Sequence, residues 1–201
     1  MKKNTKEIIL EKAYMLFLEK GYDGVSISAL QKEIGIGRAT MYHHFSSKQD
    51  LFEAVIDMNF KSMEEKEDLS AYEDVLLSEF LKTRIEKTKL VLESSSIPKN
   101  VGMLNYFILS FQALEIKPEY AERSHQMHEH ELAKWKLIIQ NSIDREELKE
   151  NIDVEKAARL FMDARHGIGI TSTFKTSLEE NINEIDEMYQ FVFSLIKCEN
   201  I

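Results

Sequence analysis

Apolar residues recur along this chain at intervals of three and four, with no sustained alternation of two, and little interrupts them. Only seven glycines and two prolines are spread over 201 residues. A helical period does not sit in a strand, and so few breakers leave long helices as the regular structure available. The expected fold class is all-α. Hydrophobic residues at 43% and charged residues at 30% supply both a core and a solvated surface.

The periodic stretches are punctuated where helix chemistry would punctuate them. A first helix runs from about Thr5 to Lys20, with Ile9, Ala13, Leu16 and Phe17 on its buried face. Gly21 suits its C-cap, and Asp23-Gly24 makes a turn. Ser26 suits the N-cap of a second helix, Ile27 to Ile34, ended by Gly35. Gly37 then opens a third, Arg38 to His44, in which Met41 and Phe45 face the core. Ser47, with Asp50 at the capping-box position, opens a fourth from Lys48 to about Glu65. Two short helices joined by Gly-Ile-Gly have the layout of a helix-turn-helix.

Further on, Ser70 and Glu73 read as the capping box of a fifth helix ending near Leu92, and SSSIPKN reads as a loop. An apolar helix spans about 100–115 and is expected to be deeply buried. A long helix follows from Glu119 to about Ile143, then a polar connection from Asp144 to Asn151. The last two helices run from Val154 to about Phe174 and from about Ile182 to Cys198.

Charge is divided unevenly. Residues 1–50 carry eight Lys and Arg against six Asp and Glu, a net of +2; the rest carries 18 against 29, a net of −11. Any contact with a polyanion therefore belongs to the N-terminal quarter. There the segment GIGRATMYHHFSSKQDL concentrates Arg38, Thr40, Tyr42, His43, His44 and Lys48. Major-groove readers aim the N-terminal residues of the second helix of a helix-turn-helix at base edges, and small residues let that helix approach. Gly37 and Ala39 are small, Thr40 can bond phosphate or touch a thymine methyl, and Tyr42 and His43 can donate to phosphates. Lys48 adds a cation beside the positive end of the next helix. The candidate DNA-binding residues are Ser26, Gly37, Arg38, Ala39, Thr40, Tyr42, His43 and Lys48.

These residues resemble the TetR family of transcriptional regulators. The family pattern has a first helix ending Phe-x-x-x-Gly-Tyr, matched by Phe17, Gly21 and Tyr22. Its recognition helix reads Thr-aliphatic-Tyr-x-His-Phe, matched by Thr40, Met41, Tyr42, His44 and Phe45. Ser47, Lys48 and Asp50 complete it. The resemblance covers Ile8 to about Val55. Gly37 stands where many relatives have Ser or Thr, and Ala39 where Gly is common, which bears on operator preference.

The resemblance implies a DNA-binding domain at 1–50, a linking helix at 48–65 and a ligand-binding and dimerisation domain at 51–201. It also implies a homodimer that binds a double-stranded DNA operator and answers to a small-molecule effector. Met103, Tyr106, Phe107, Phe111, Met127, Trp135, Phe161 and Arg165 are candidates for ligand contact, with ordinary core packing as the alternative. Arg165, inside an apolar helix, needs either an internal carboxylate or an anionic ligand. Gly167, Ile185, Met188, Tyr189, Val192, Leu195 and Ile196 are candidates for a two-fold helical interface.

No catalytic order of nucleophile and base stands out, so no enzyme activity and no cofactor are expected. His125, His128 and His130 lack the ligand set of a closed zinc site, and no metal is expected. A single cysteine, Cys198, and the lack of an apolar leader or spanning segment point to the cytoplasm and to no membrane partner. The rival reading is a helical small-molecule-binding protein or enzyme whose helix-turn-helix is only structural.

Overall fold

Helices account for the regular structure of the computed structural model, which describes residues 4–64, 68–94, 101–171 and 178–198. They are α1 (Thr5–Lys20), α2 (Ile27–Ile34), α3 (Arg38–His44), α4 (Lys48–Glu64), α5 (Leu77–Ser94), α6 (Met103–Ile116), α7 (Tyr120–Asp144), α8 (Val154–Thr171) and α9 (Leu178–Ile196). No strand is present among the described residues, only one isolated bridge between Leu148 and Lys197. None of the described helices is long and apolar enough to cross a membrane. Of the SSSIPKN stretch all but Ser94, the last residue of α5, lies outside the described residues, as do Lys2, Lys3 and the side chain of Met103.

The chain divides into two compact units, one of residues 1–66 and 97–124, the other of 67–96 and 125–201. This differs from a boundary at residue 50. The reason lies in α6, which packs on α1 and α4 and buries Leu109 and Ala113 in the same core as Ile9, Ala13 and Phe17. Phe17 lies at the centre, edge-on to Phe52 at 5.1 Å, while Tyr22 meets Phe52 at 4.8 Å. Asn4 and Glu7 cap α1 reciprocally, Asn4 accepting from the Glu7 N–H and Glu7 from the Asn4 N–H.

α6 is not buried all round. Leu104, Ile108 and Phe111 recur on its other face and are exposed, Phe111 by 67%. Its apolar composition predicted full burial, but one face alone meets α1 and α4.

The second unit is built on Trp135, fully buried, stacked on Phe161 at 5.1 Å and edge-on to Phe80 at 4.8 Å. α9 packs against α5 and α8. α5 starts at Leu77 and not near Ser70, because a short 3-10 turn, Leu69–Tyr72, takes up the earlier residues and is capped by Asp68. The N-terminus of α5 is held instead by Ser142 of α7 and by Glu147 of the connection that follows it.

Candidate nucleic-acid interface

The helix-turn-helix forms because each of its turns has a local chemical cause. The Ser26 hydroxyl accepts the Ala29 N–H at 3.1 Å and starts α2. Gly35 ends it in the left-handed region at φ 79°, where the N–H groups of Gly35 and Ile36 both reach the Gln31 carbonyl. Gly37 begins α3 with no side-chain cap. Ser47 accepts the Asp50 N–H at 3.0 Å, and Asp50 accepts from the backbone and hydroxyl of Ser46.

α3 is anchored by two residues only, Met41 at 0% and Phe45 at 3% exposure. Arg38, Ala39, Thr40, Tyr42 and His43 are all exposed on the same short helix, as is Gly37 before it. The Arg38 guanidinium lies 5.5 Å from the Tyr42 ring centre, and Lys6 lies 5.6 Å over Phe45. Ser26 is exposed, but its oxygen is occupied by capping. His44 is half-buried between His43 and Phe45, a packed residue and not a presented one.

Lys48, the cation in the first turn of α4, is engaged within the fold. Its Nζ donates to the Tyr22 carbonyl at 3.0 Å and sits 4.0 Å over the Tyr22 ring. Tyr22 in turn donates its N–H to Gln112 Oε1 of α6 at 2.8 Å. Gln112 was not legible as part of this site. It lies 90 residues from Tyr22 and belongs to no local motif.

The remaining candidates divide between the units. Tyr106 packs on the first core with its hydroxyl near Tyr14, burial raising both phenols, while Phe107 is half-buried. In the second unit Met127 is half-buried, but Trp135 and Phe161 are interior core at 0% exposure. The interface candidates need a similar correction: Tyr189 and Val192 are buried in the core of their own unit, and Ile185 and Ile196 pack against it. The exposed apolar positions of α8 and α9 are Leu160, Ile170, Met188, Phe191 and Leu195. Gly167 is exposed. His128 stacks on His166 at 6.4 Å, and no group of three or more potential metal ligands occurs among the described residues.

Arg165 lies within electrostatic range of Glu131. Burial alone would raise the Glu131 carboxyl, but Arg84, Lys134 and Arg165 outweigh it and bring the carboxyl down to about 2. A depressed folded-state value stabilises the fold above the ordinary carboxylate range, and that stabilisation disappears as pH falls toward 2. Glu131→Gln should therefore lower the urea midpoint at pH 7, with the gap to wild type narrowing as pH falls from about 4.5. A gap that stays constant to pH 3 would contradict this.

What the geometry defines is a helix-turn-helix whose short second helix is held by Met41 and Phe45 and turns its other side chains outward. Residues 9–55 match the family profile of the bacterial regulatory proteins, tetR family. The match takes in α1, α2, α3 and the first half of α4, about a quarter of the chain.

Over 55 residues it is 38% identical to the biofilm operon icaADBC HTH-type negative transcriptional regulator IcaR of Staphylococcus aureus, a match covering 27% of this chain and 30% of that one. The chain thus spans about 30% of the length of the curated relatives it matches. Its fold extends further. A TetR-family regulator from Agrobacterium tumefaciens superposes with a TM-score of 0.69 at 17% identity, covering 96% of this chain and 98% of that one. A transcriptional regulator from Saccharomonospora viridis, solved in complex with choline, gives 0.69 at 18% identity with the same coverages.

Proposed function

We propose that the protein is a sequence-specific DNA-binding transcriptional regulator: a ligand-released repressor that binds a pseudo-palindromic operator as a homodimer in the cytoplasm. One observation carries this reading. Arg38, Ala39, Thr40, Tyr42 and His43 all stand outward on a helix that only Met41 and Phe45 tie to the core. Two such helices, one from each protomer, would enter successive major grooves about one helical turn, ~34 Å, apart. Support for repression comes from the relative IcaR, named a negative transcriptional regulator, over the segment it shares with this chain.

Direct binding tests the reading. Fluorescence anisotropy on the DNA upstream of the protein's own gene, across a salt series, is compared with unrelated DNA. Preference for the upstream DNA with a steep salt slope is expected, at roughly 0.9 per phosphate contact. No binding to either DNA at low salt would overturn it. Within the site, Tyr42→Phe should weaken both DNAs alike, whereas Thr40→Ala should change preference among sequences. Unchanged affinities in both variants would refute the orientation.

The dimer reading rests on Met188, Phe191 and Leu195, spaced three and four apart on one exposed face of α9, with Leu160 and Ile170 exposed on α8. Phe191→Lys should give a monomer by light scattering at micromolar concentration and weaken operator binding. A dimeric variant would move the interface elsewhere. The effector reading keeps Met127 and Arg165, both in the second unit, as its candidates for ligand contact. The choline-bound relative lends it support only as a regulator of this fold that holds a small molecule. An effector releases DNA only through differential affinity for two dimer geometries.

A further inference from the structure

The side chains that α3 turns outward differ in what they can recognise on a base pair. The helix reads RATMYHH and holds no Asn, Gln, Asp or Glu. Asn and Gln bond both groups of the adenine edge, and Asp and Glu accept from cytosine, so α3 carries neither reading. Ala39 and Thr40 offer methyl groups. His43 stands in the last turn, away from the N-terminal residues that meet base edges. Arg38 is the first residue of α3, and its guanidinium carries N–H donors in a planar fork.

The structure leaves that fork available and braces it. Arg38 is exposed, and among the described residues its guanidinium meets only the Tyr42 ring, 5.5 Å from the ring centre. The two residues are one helical turn apart, so the ring supports the cation from its own helix. A ring contact leaves the N–H groups without acceptors, and it reduces the rotamer freedom that a long side chain must give up on binding. Beside Arg38, a Cβ added to Gly37 would meet nothing within 4 Å, and Ale39 adds one methyl. Neighbouring bulk therefore does not hold Arg38 away from a groove floor.

We propose that Arg38, braced on the Tyr42 ring, reads a guanine in each half of the operator, donating one N–H to O6 and another to N7. Guanine places those two acceptors side by side in the major groove, where a guanidinium fork fits both. Adenine keeps N7 but puts a donor where guanine has O6, so the second bond is lost. Tyr42 then acts twice: its hydroxyl donates to a phosphate, and its ring is a positioning group for Arg38. The inference rests on the regulator reading and deepens it from a groove contact to one base pair.

Selection from random DNA duplexes by the full-length protein tests this, with bound DNA recovered and sequenced. The wild type should enrich a two-fold motif with a G·C pair at one fixed place in each half. Arg38→Ala should keep the rest of the motif and lose the preference at that pair, a loss of roughly 5- to 150-fold in discrimination per half-site. Replacing that guanine with 7-deazaguanine, which lacks the N7 acceptor, should weaken the wild type and leave Arg38→Ala unaffected. Tyr42→Phe keeps the ring and should keep the guanine preference at weaker overall binding, whereas Tyr42→Leu should lose both. Arg38 and Tyr42 are exposed, so these variants should melt with the wild type. A motif without guanine in its halves, or a guanine preference that survives Arg38→Ala, overturns the inference and leaves the regulator reading standing. An undiminished preference in Tyr42→Leu defeats the bracing by the ring. DNA bound by the wild type with no motif enriched overturns the sequence-specific reading itself, and this inference with it.

Discussion

Glu147→Ala should lower stability by about 3 kcal/mol, among the largest effects a single exposed-loop prediction would have missed. Glu147 sits in a connection whose composition reads as polar and solvated, yet it is 5% exposed. Its carboxylate accepts the Leu77 N–H at 2.9 Å, the Ser78 N–H at 3.5 Å and the Ser78 hydroxyl. It thereby satisfies the first donors of α5 and places a negative charge at that helix's positive end. Its own carbonyl accepts from the Cys198 N–H at 3.0 Å, so the connection also ties down the end of α9. Alanine removes the acceptor and leaves buried donors unpaired, apart from the Ser142 hydroxyl that shares the Leu77 N–H at 2.7 Å. The melting temperature should fall by roughly 6–12 °C, given about 2–4 °C per kcal/mol for a chain of this size. Glu147→Gln retains an acceptor and should lose about half as much. Equal melting temperatures for Glu147→Ala and wild type would show that the cap contributes nothing.

The second large effect is expected at Gly21. Its φ of 69° with ψ of 168° is a conformation that side chains rarely tolerate. An added Cβ would also come within 3.3 Å of both terminal atoms of the Gln112 side chain. Gln112 cannot retreat without releasing the Tyr22 N–H, and Tyr22 carries Lys48 on its carbonyl and ring. Gly21→Val should therefore destabilise by about 2–4 kcal/mol, strain and overpacking together, and weaken DNA binding beyond any loss of folded protein. A cycle with Gln112→Ala separates the two causes: the crowding disappears in that background and the backbone strain remains. If Gly21→Val costs the same with and without Gln112, the contact plays no part.

The helix-turn-helix was legible from sequence because each of its determinants lies within a few residues of what it controls. Ser26 caps its own helix, Gly35 turns its own chain, and Met41 and Phe45 share a face through one helical turn. Burial of Ile9, Ala13, Leu16 and Phe17 followed from period alone, though Leu18 joined them unannounced. The start of α5 was not legible. Ser70 and Glu73 have the spacing of a capping box, but the acceptors at the true N-terminus come from Ser142 and Glu147, 65 and 70 residues away.

The same division separates the residues assigned to sites. Outward exposure of Arg38, Thr40, Tyr42 and His43 could be read from the spacing of two anchors on a short helix. Tyr189 and Val192 share an apolar stripe with Met188 and Leu195, and periodicity does not say which edge of a wide stripe faces the core and which faces solvent. Sequence alone determined the helical class, the helix-turn-helix and the face it presents, since those depend on backbone preferences and contacts a turn apart. Tertiary structure decided that α6 joins the N-terminal core, that Gln112 holds Tyr22, and that Arg84 and Trp135 meet on Glu131. Those contacts join residues far apart in the chain, and their partners are chosen by packing, which no local pattern records.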